Sequence, residues 1–247
     1  GFPDAGGRPE GNTTRIAYDL TTEGFGAGAN GPFLVVVEMP NAGSVPAANA
    51  LSQKLAKTPG VATASPVIPG TPSVTPDGTT AIIQVQPTTG PQDQATSDLL
   101  ENLRTNVIPT ATAGTGLTAY VGGSTAVVDD FSQVLADALP LFLAVVVGLG
   151  FLVLVLLFRS LVIPLTAAAT ALLSFGAALG ITVFVFQWGY LTDIFGVTGT
   201  GPILPFLPIM LFSILFGLSM DYQVFLVSRM QEEWTRTKDN RTAVRRG

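Results

Sequence analysis

The run ILPFLPIMLFSILFGLSMDYQVFLVS, residues 203–228, decides how this chain is read. At 1.5 Å per helical residue it is long enough to cross a hydrocarbon core of about 30 Å. Asp221 is its one ionisable carboxylate, and Tyr222 follows directly. A carboxylate near the middle of a span costs at least about 2.5 kcal/mol, so such residues are kept for proton relay, ion binding or charge pairing. The next charge is Arg229, about 12 Å further along a helix, which puts Asp221 inside the hydrocarbon on one side of its centre. Gly217, four residues earlier, and Ser228, seven later, share a helix face with the acid. A small residue beside it leaves room for a partner or water. Tyr222 lies about 100° round the axis, so acid and phenol are each expected to meet a different partner on a neighbouring helix.

Two further apolar segments precede this one. The first, 140–158, carries no charge. The second, 161–187, follows a tight turn at Arg159-Ser160 and ends near the interfacial aromatics Trp188 and Tyr190. Ala167, Ala168, Ala169, Ser174, Gly176, Ala177, Ala178 and Gly180 line the second segment, and small residues at that density predict close helix packing. Charge placement sets the orientation. Before residue 139 there are five Lys and Arg against twelve Asp and Glu; the other seven basic residues are Arg159 and six from Arg229 onward. Under the positive-inside rule Arg159 and the tail are cytoplasmic, while 1–138 and 187–202 face outward, in a cell inner membrane.

Residues 1–123 read as an extracytoplasmic α+β domain. Asn12 is placed to cap a helix through Glu23, with Ile16, Ala17 and Leu20 on one face. Strands are expected at Phe33–Met39, Val61–Ile68, Thr80–Gln86 and Leu117–Val121, with helices at Pro46–Lys57 and Gln92–Val107. Pro66 puts the second strand near an edge. Two βαβ units in succession predict a ferredoxin-like sandwich with its helices on one face; another α/β sandwich of the same content is the alternative. A connecting amphipathic helix follows over 124–138. Its Asp129, Asp130 and Asp137 read as solvated charges near a helix start. After the three spans, about 140–158, 161–187 and 203–228, residues 229–247 read as a cytoplasmic amphipathic connector.

Composition removes several chemistries. The chain is 47% hydrophobic and 12% charged, half the charge of an ordinary soluble domain. It has no cysteine and no histidine, which excludes disulfides, thiolate metal sites and imidazole switches. No cofactor or metal is implied. The net charge of −5 combines an acidic outer part with a basic tail, which argues against nucleic acid as a partner. No nucleophile–base pair or phosphate loop points to an enzyme. The chain begins at Gly1 and ends at Arg245-Arg246-Gly247, and is expected to be a piece of a longer protein.

Five stretches carry a family resemblance: FGLSMDYQVFLVSRMQEEW (216–234), AYDLTTEGFGAGANGPFLVVVE (17–38), GPQDQATSDLL (90–100), VGGSTAVVDDFS (121–132) and LFRSLVIPL (157–165). In this order they resemble the MMPL (mycobacterial membrane protein large) family of RND-superfamily transporters over nearly the whole chain. The family has two similar halves, each with one span, a porter domain and five more spans. This chain resembles the porter domain and next three spans of one half, its GLSMDY wording closer to the C-terminal half. The resemblance implies export of lipids or other hydrophobic molecules driven by proton influx, with Asp-Tyr pairs in each half as the relay. Asp221 and Tyr222 match one pair; the other half of the transporter would supply the second. Gln223 stands where many relatives carry Glu. The implied partners are a lipid or hydrophobic substrate, the membrane, the other half, and either a monomeric or a trimeric assembly.

Phe25, Phe33 and Phe131 are candidates for lining a lipid path, with core packing as the competing role. Hydrocarbon disfavours the charged form of a carboxylate, so Asp221 can take up a proton in one environment and release it in another. The competing role is a static hydrogen-bond clamp between helices. Two other classes fit the same outline: a sterol-sensing or receptor-like protein that does not transport, and an assembly scaffold whose outer domain binds partner proteins.

Overall fold

A computed structural model describes residues 2–196 and 199–246. The chain forms two compact units. One runs to Ser132 and includes Asp193–Pro202; the other comprises Gln133–Thr192 and the chain from Ile203 onward.

In the first unit, helix α1 (Thr13–Phe25) starts where Asn12 accepts a hydrogen bond from the Thr14 N–H at 3.0 Å, and ends at Gly26, whose φ of +89° an L side chain would resist. α1 buries none of its residues, so Ile16 and Leu20 form an exposed apolar face and not a core face. The order that follows is β1 (Phe33–Glu38), α2 (Val45–Ala56), β2 (Val61–Ala64), β3 (Thr80–Pro87), α3 (Gln94–Asn102), α4 (Ile108–Thr112) and β4 (Thr118–Gly122). A π-helical turn, Leu103–Val107, joins α3 to α4. The four strands form one antiparallel sheet in the order β2-β3-β1-β4.

Alternation sorts the sheet's two faces. Phe33, Val35 and Val37 of β1 and Ala81, Ile83 and Val85 of β3 point into a core completed by Ala48, Leu51 and Leu55 of α2 and by Leu99, Leu100 and Leu103. Their neighbours Leu34 and Ile82 stay exposed on the opposite face. β2 is an edge strand and stops at Ala64, before Pro66, which cannot donate to a ladder. The loop after it covers the rest of that side of β3: the Ile82 N–H donates to the Ser73 carbonyl and the Thr75 N–H to the Thr80 carbonyl, both at 2.9 Å. Gly28 lies so close to β3 that a Cβ there would sit 1.9 Å from the Pro87 carbonyl oxygen, so no other residue fits without backbone movement.

Helix α5 (Ser124–Phe158) is continuous through Pro140. Its first turns belong to the first unit. Ala126 is fully buried in the sheet core, and Thr125 donates to the Gly31 carbonyl at 2.9 Å. The acids there are not the free solvated charges expected. Asp130 pairs with Arg104, which also donates to the Val121 carbonyl of β4 at 2.7 Å, and Asp129 accepts a hydrogen bond from Ser97. Partners 26 and 32 residues away in sequence explain both, a separation that local patterning does not report.

Near the start of the chain, Asp4 accepts from the Gly6 N–H at 2.8 Å and holds a short turn against the ring of half-buried Tyr18. Burial, reinforced by the Asp4 carboxylate to which the phenol donates, pushes Tyr18 from the usual 10 up to about 12. A raised pKa means the folded state keeps this proton longer than the unfolded one. Stability is therefore full below pH 10 and falls as pH climbs through about 12. Tyrosinate absorbance during an alkaline titration should show a late step that Tyr18→Phe abolishes; an unchanged titration in the variant would refute the assignment.

The second unit holds α6 (Val162–Thr182, prolonged by a π turn to Gln187), α8 (Leu207–Thr237) and α9 (Asn240–Arg246); a short α7 (Thr192–Phe195) precedes α8 in the chain. Among the described residues three helices are long and apolar enough to cross a membrane: Ser124–Phe158, Val162–Gln187 and Leu207–Thr237. Arg159 turns the chain between the first two with φ +50°. The third begins at Leu207, with Pro208 in its first turn where a missing N–H is harmless, and not at residue 203.

Candidate functional site

α8 carries Asp221 and Tyr222, and its packing explains where they point. Phe212, Phe216, Met220, Val224 and Val227 recur at spacings of three and four and form one stripe. That stripe meets Phe142, Val146 and Leu154 of α5 and Ala167, Ala171 and Phe175 of α6. Phe212 sits at the centre with no exposed surface, edge-on to Phe142 and Phe175 and stacked on Phe216 at 5.2 Å between ring centroids.

Asp221 follows Met220 by one residue and is thereby rotated off the packed stripe. Asp221, Gly217 and Tyr222 are exposed, Tyr222 to 69%, and Ser228 is exposed as well. A Cβ added at Gly217 would meet no atom within 4 Å. Among the described residues neither Asp221 nor Tyr222 has a hydrogen-bond or ion-pair partner on α5 or α6. The expectation that each meets a neighbouring helix is therefore not met within this chain. The apolar stripe has taken the side of α8 that faces α5 and α6.

The close approach between spans also lies elsewhere than the small-residue pattern indicates. Ala167, Ala168 and Ala171 of α6 are buried, but Gly176 and Gly180 face open space. The tight contact is at Gly150 of α5, outside that pattern, where a Cβ would lie 2.8 Å from the Phe216 ring and 3.0 Å from the Met220 methyl. Only its place in the i, i+3, i+4 series with Val146, Val147 and Leu154 signalled it. Gly150→Leu should lower the thermal midpoint, the overpacking costing about 1–3 kcal/mol of stability. Gly148→Leu, at an open position of the same helix, serves as the control for helix propensity. Equal midpoints for the two variants would show that α5 does not pack there.

Of the three phenylalanines, Phe33 is 0% exposed and belongs to the sheet core, so it lines no surface path. Phe25 is 75% exposed at the end of α1, and Phe131 is 45% exposed on α5 with its ring 5.6 Å from that of Phe2. No group of three or more acidic side chains that could hold a metal occurs among the described residues.

Known proteins resemble the chain along its length. It is 44% identical over 247 residues to membrane protein YdfJ of Bacillus subtilis, covering 100% of this chain and 33% of that one. It is 30% identical over 239 residues to the mycolic acid-containing lipids exporter MmpL11 of Mycolicibacterium smegmatis, covering 94% and 24%. It is 31% identical over 238 residues to the heme uptake protein MmpL11 of Mycobacterium tuberculosis, with the same coverages. The chain thus spans about a third or less of these relatives' length. The likenesses agree with three helices long and apolar enough to cross a membrane, and the MMPL family model matches residues 9–247; the chain belongs to the MMPL family of membrane proteins.

Proposed function

We propose that this chain is the outer domain and three spans of one half of a proton-driven transporter that exports lipid or other hydrophobic cargo from the inner membrane. The observation that carries the reading is the setting of Asp221: one carboxylate in a span, beside Tyr222, on a face of α8 left open by the packing of α5 and α6. A carboxylate with room around it can exchange a proton as its surroundings change. The second Asp-Tyr pair comes from the other half, which closes over this face; the assembly is monomeric or trimeric.

Relatives named as an exporter of mycolic acid-containing lipids and as a heme uptake protein support a large, mostly apolar cargo. The first unit is a ferredoxin-like porter domain. Its strand order β2-β3-β1-β4 and the single core shared with α2 and α3 support this. Residues 1–123 form that extracytoplasmic domain, 124–138 connect it, 139–228 hold the spans, and 229–247 are cytoplasmic, an orientation supported by the basic residues beyond Ser228. Internal pH and a labelled lipid, followed together in vesicles carrying the full-length protein with and without Asp221→Asn, test this function; unchanged coupled transport in the variant overturns it.

A further inference from the structure

The end of α8 makes an elbow whose charges the relay does not use. Lys238 reverses the chain in the left-handed region, with φ 56°, and α9 turns back against α8, burying Ala243 to 4% exposure. The nearby acids are already engaged: Glu232 with Arg229 at 3.2 Å, and Glu233 with Arg236 at 2.7 Å. Asp239 caps α9 by accepting from the N–H groups of Arg241 and Thr242 at 3.2 Å and from the Thr242 hydroxyl. Among the described residues, Lys238, Arg241, Arg245 and Arg246 have no acidic partner. Arg241 and Arg245 stand one turn apart on one face. With Asn240 and Val244 they line a shallow, open depression. Val244 is 65% exposed, and the Lys238 Nζ sits 4.1 Å over the ring of exposed Trp234.

We infer that this elbow binds anionic phospholipid headgroups, with Arg241 and Arg245 holding the phosphate while Trp234 and Val244 rest at the boundary of the acyl region. A lipid surface is favoured over an acidic protein on two grounds. Basic side chains here alternate with an exposed indole and an exposed valine, a mixture suited to the interface and poorly suited to an aqueous partner. The elbow also continues α8 directly: Ser228 ends the apolar run, and Thr237 lies about 13 Å beyond it, so the returning α9 stays within reach of the headgroup layer. The inference requires α8 to cross a membrane, but not Asp221 to relay protons.

The full-length protein is placed in nanodiscs of phosphatidylcholine alone, or with about a third phosphatidylglycerol, and digested with trypsin, the cut sites being identified by peptide mass. Cleavage after Lys238, Arg241 and Arg245 is read against cleavage after the exposed Lys54 and Lys57 of the first unit. We expect those three sites to be cut about tenfold more slowly, relative to the reference sites, in the anionic discs, with protection lost in molar salt. Arg241→Gln with Arg245→Gln should bring cleavage after Lys238 in the anionic discs back to its rate in the neutral ones. Equal relative cleavage in both discs overturns the inference. So does protection by a soluble poly-glutamate peptide in neutral discs without protection by the anionic lipid, which assigns the elbow to a protein partner.

Discussion

Replacing Asp221 by asparagine in the full-length protein should abolish both proton influx and lipid movement in vesicles while leaving folding and insertion intact. Asparagine keeps the size and hydrogen-bonding capacity of the protonated acid but cannot exchange a proton. A relay therefore loses about two to three orders of magnitude in rate, the scale on which positioned proton transfer acts. A clamp would lose little, because the amide still bonds. Stability separates the cases further. Asp221→Ala, which removes both the charge and the hydrogen bond, relieves a cost of about 2.5–3.5 kcal/mol or leaves stability unchanged if the acid is unclamped, whereas it breaks a clamp and lowers stability. Tyr222→Phe should weaken coupling and spare insertion, since Tyr222 is largely exposed in this chain. Transport that continues at the wild-type rate in Asp221→Asn would assign the residue to structure and move the coupling site elsewhere.

The second large effect is expected at Phe33. Truncation to alanine empties the largest fully buried side chain of the first unit. Phe→Ala in a core costs about 3–5 kcal/mol, which is a large share of the roughly 5–15 kcal/mol that holds a typical domain together. Denaturant unfolding of the chain in detergent should show the first unit's transition moved accordingly. Phe25→Ala, at the exposed end of α1, should change it by less than about 0.5 kcal/mol. The pair separates packing from cargo contact. A stable Phe33→Ala protein that loses transport would restore Phe33 to a lipid path, against its position in the core.

What was legible in the sequence follows from what acts over short range. Asn12 as a cap, the alternation of β1 and β3, the edge position of β2 before Pro66 and the apolar lengths of the spans all depend on residues within a turn or a strand of one another. Long-range choices were not legible. The partners of Asp129 and Asp130 come from the α3 region, and the exposed face of α1 looks in sequence like any core-facing face. The continuity of α5 through Pro140 depends on a lost hydrogen bond being tolerated in a long helix, which composition does not reveal. At the candidate site, periodicity put Gly217 and Asp221 on one side of α8. It did not say that the phenylalanine stripe would claim the other side and leave the acid uncovered.

The borders of the sheet carry one more consequence. β2 has only four residues and is followed by Pro66, residues 73–75 lie along the rest of β3, and the Arg104 guanidinium takes up the Val121 carbonyl at the far side. A free sheet border is a template on which a strand from another molecule can grow, and short, interrupted or side-chain-blocked borders suppress it. This domain is thus poorly suited to recruiting proteins by strand addition. It is also guarded against fibre-like self-templating.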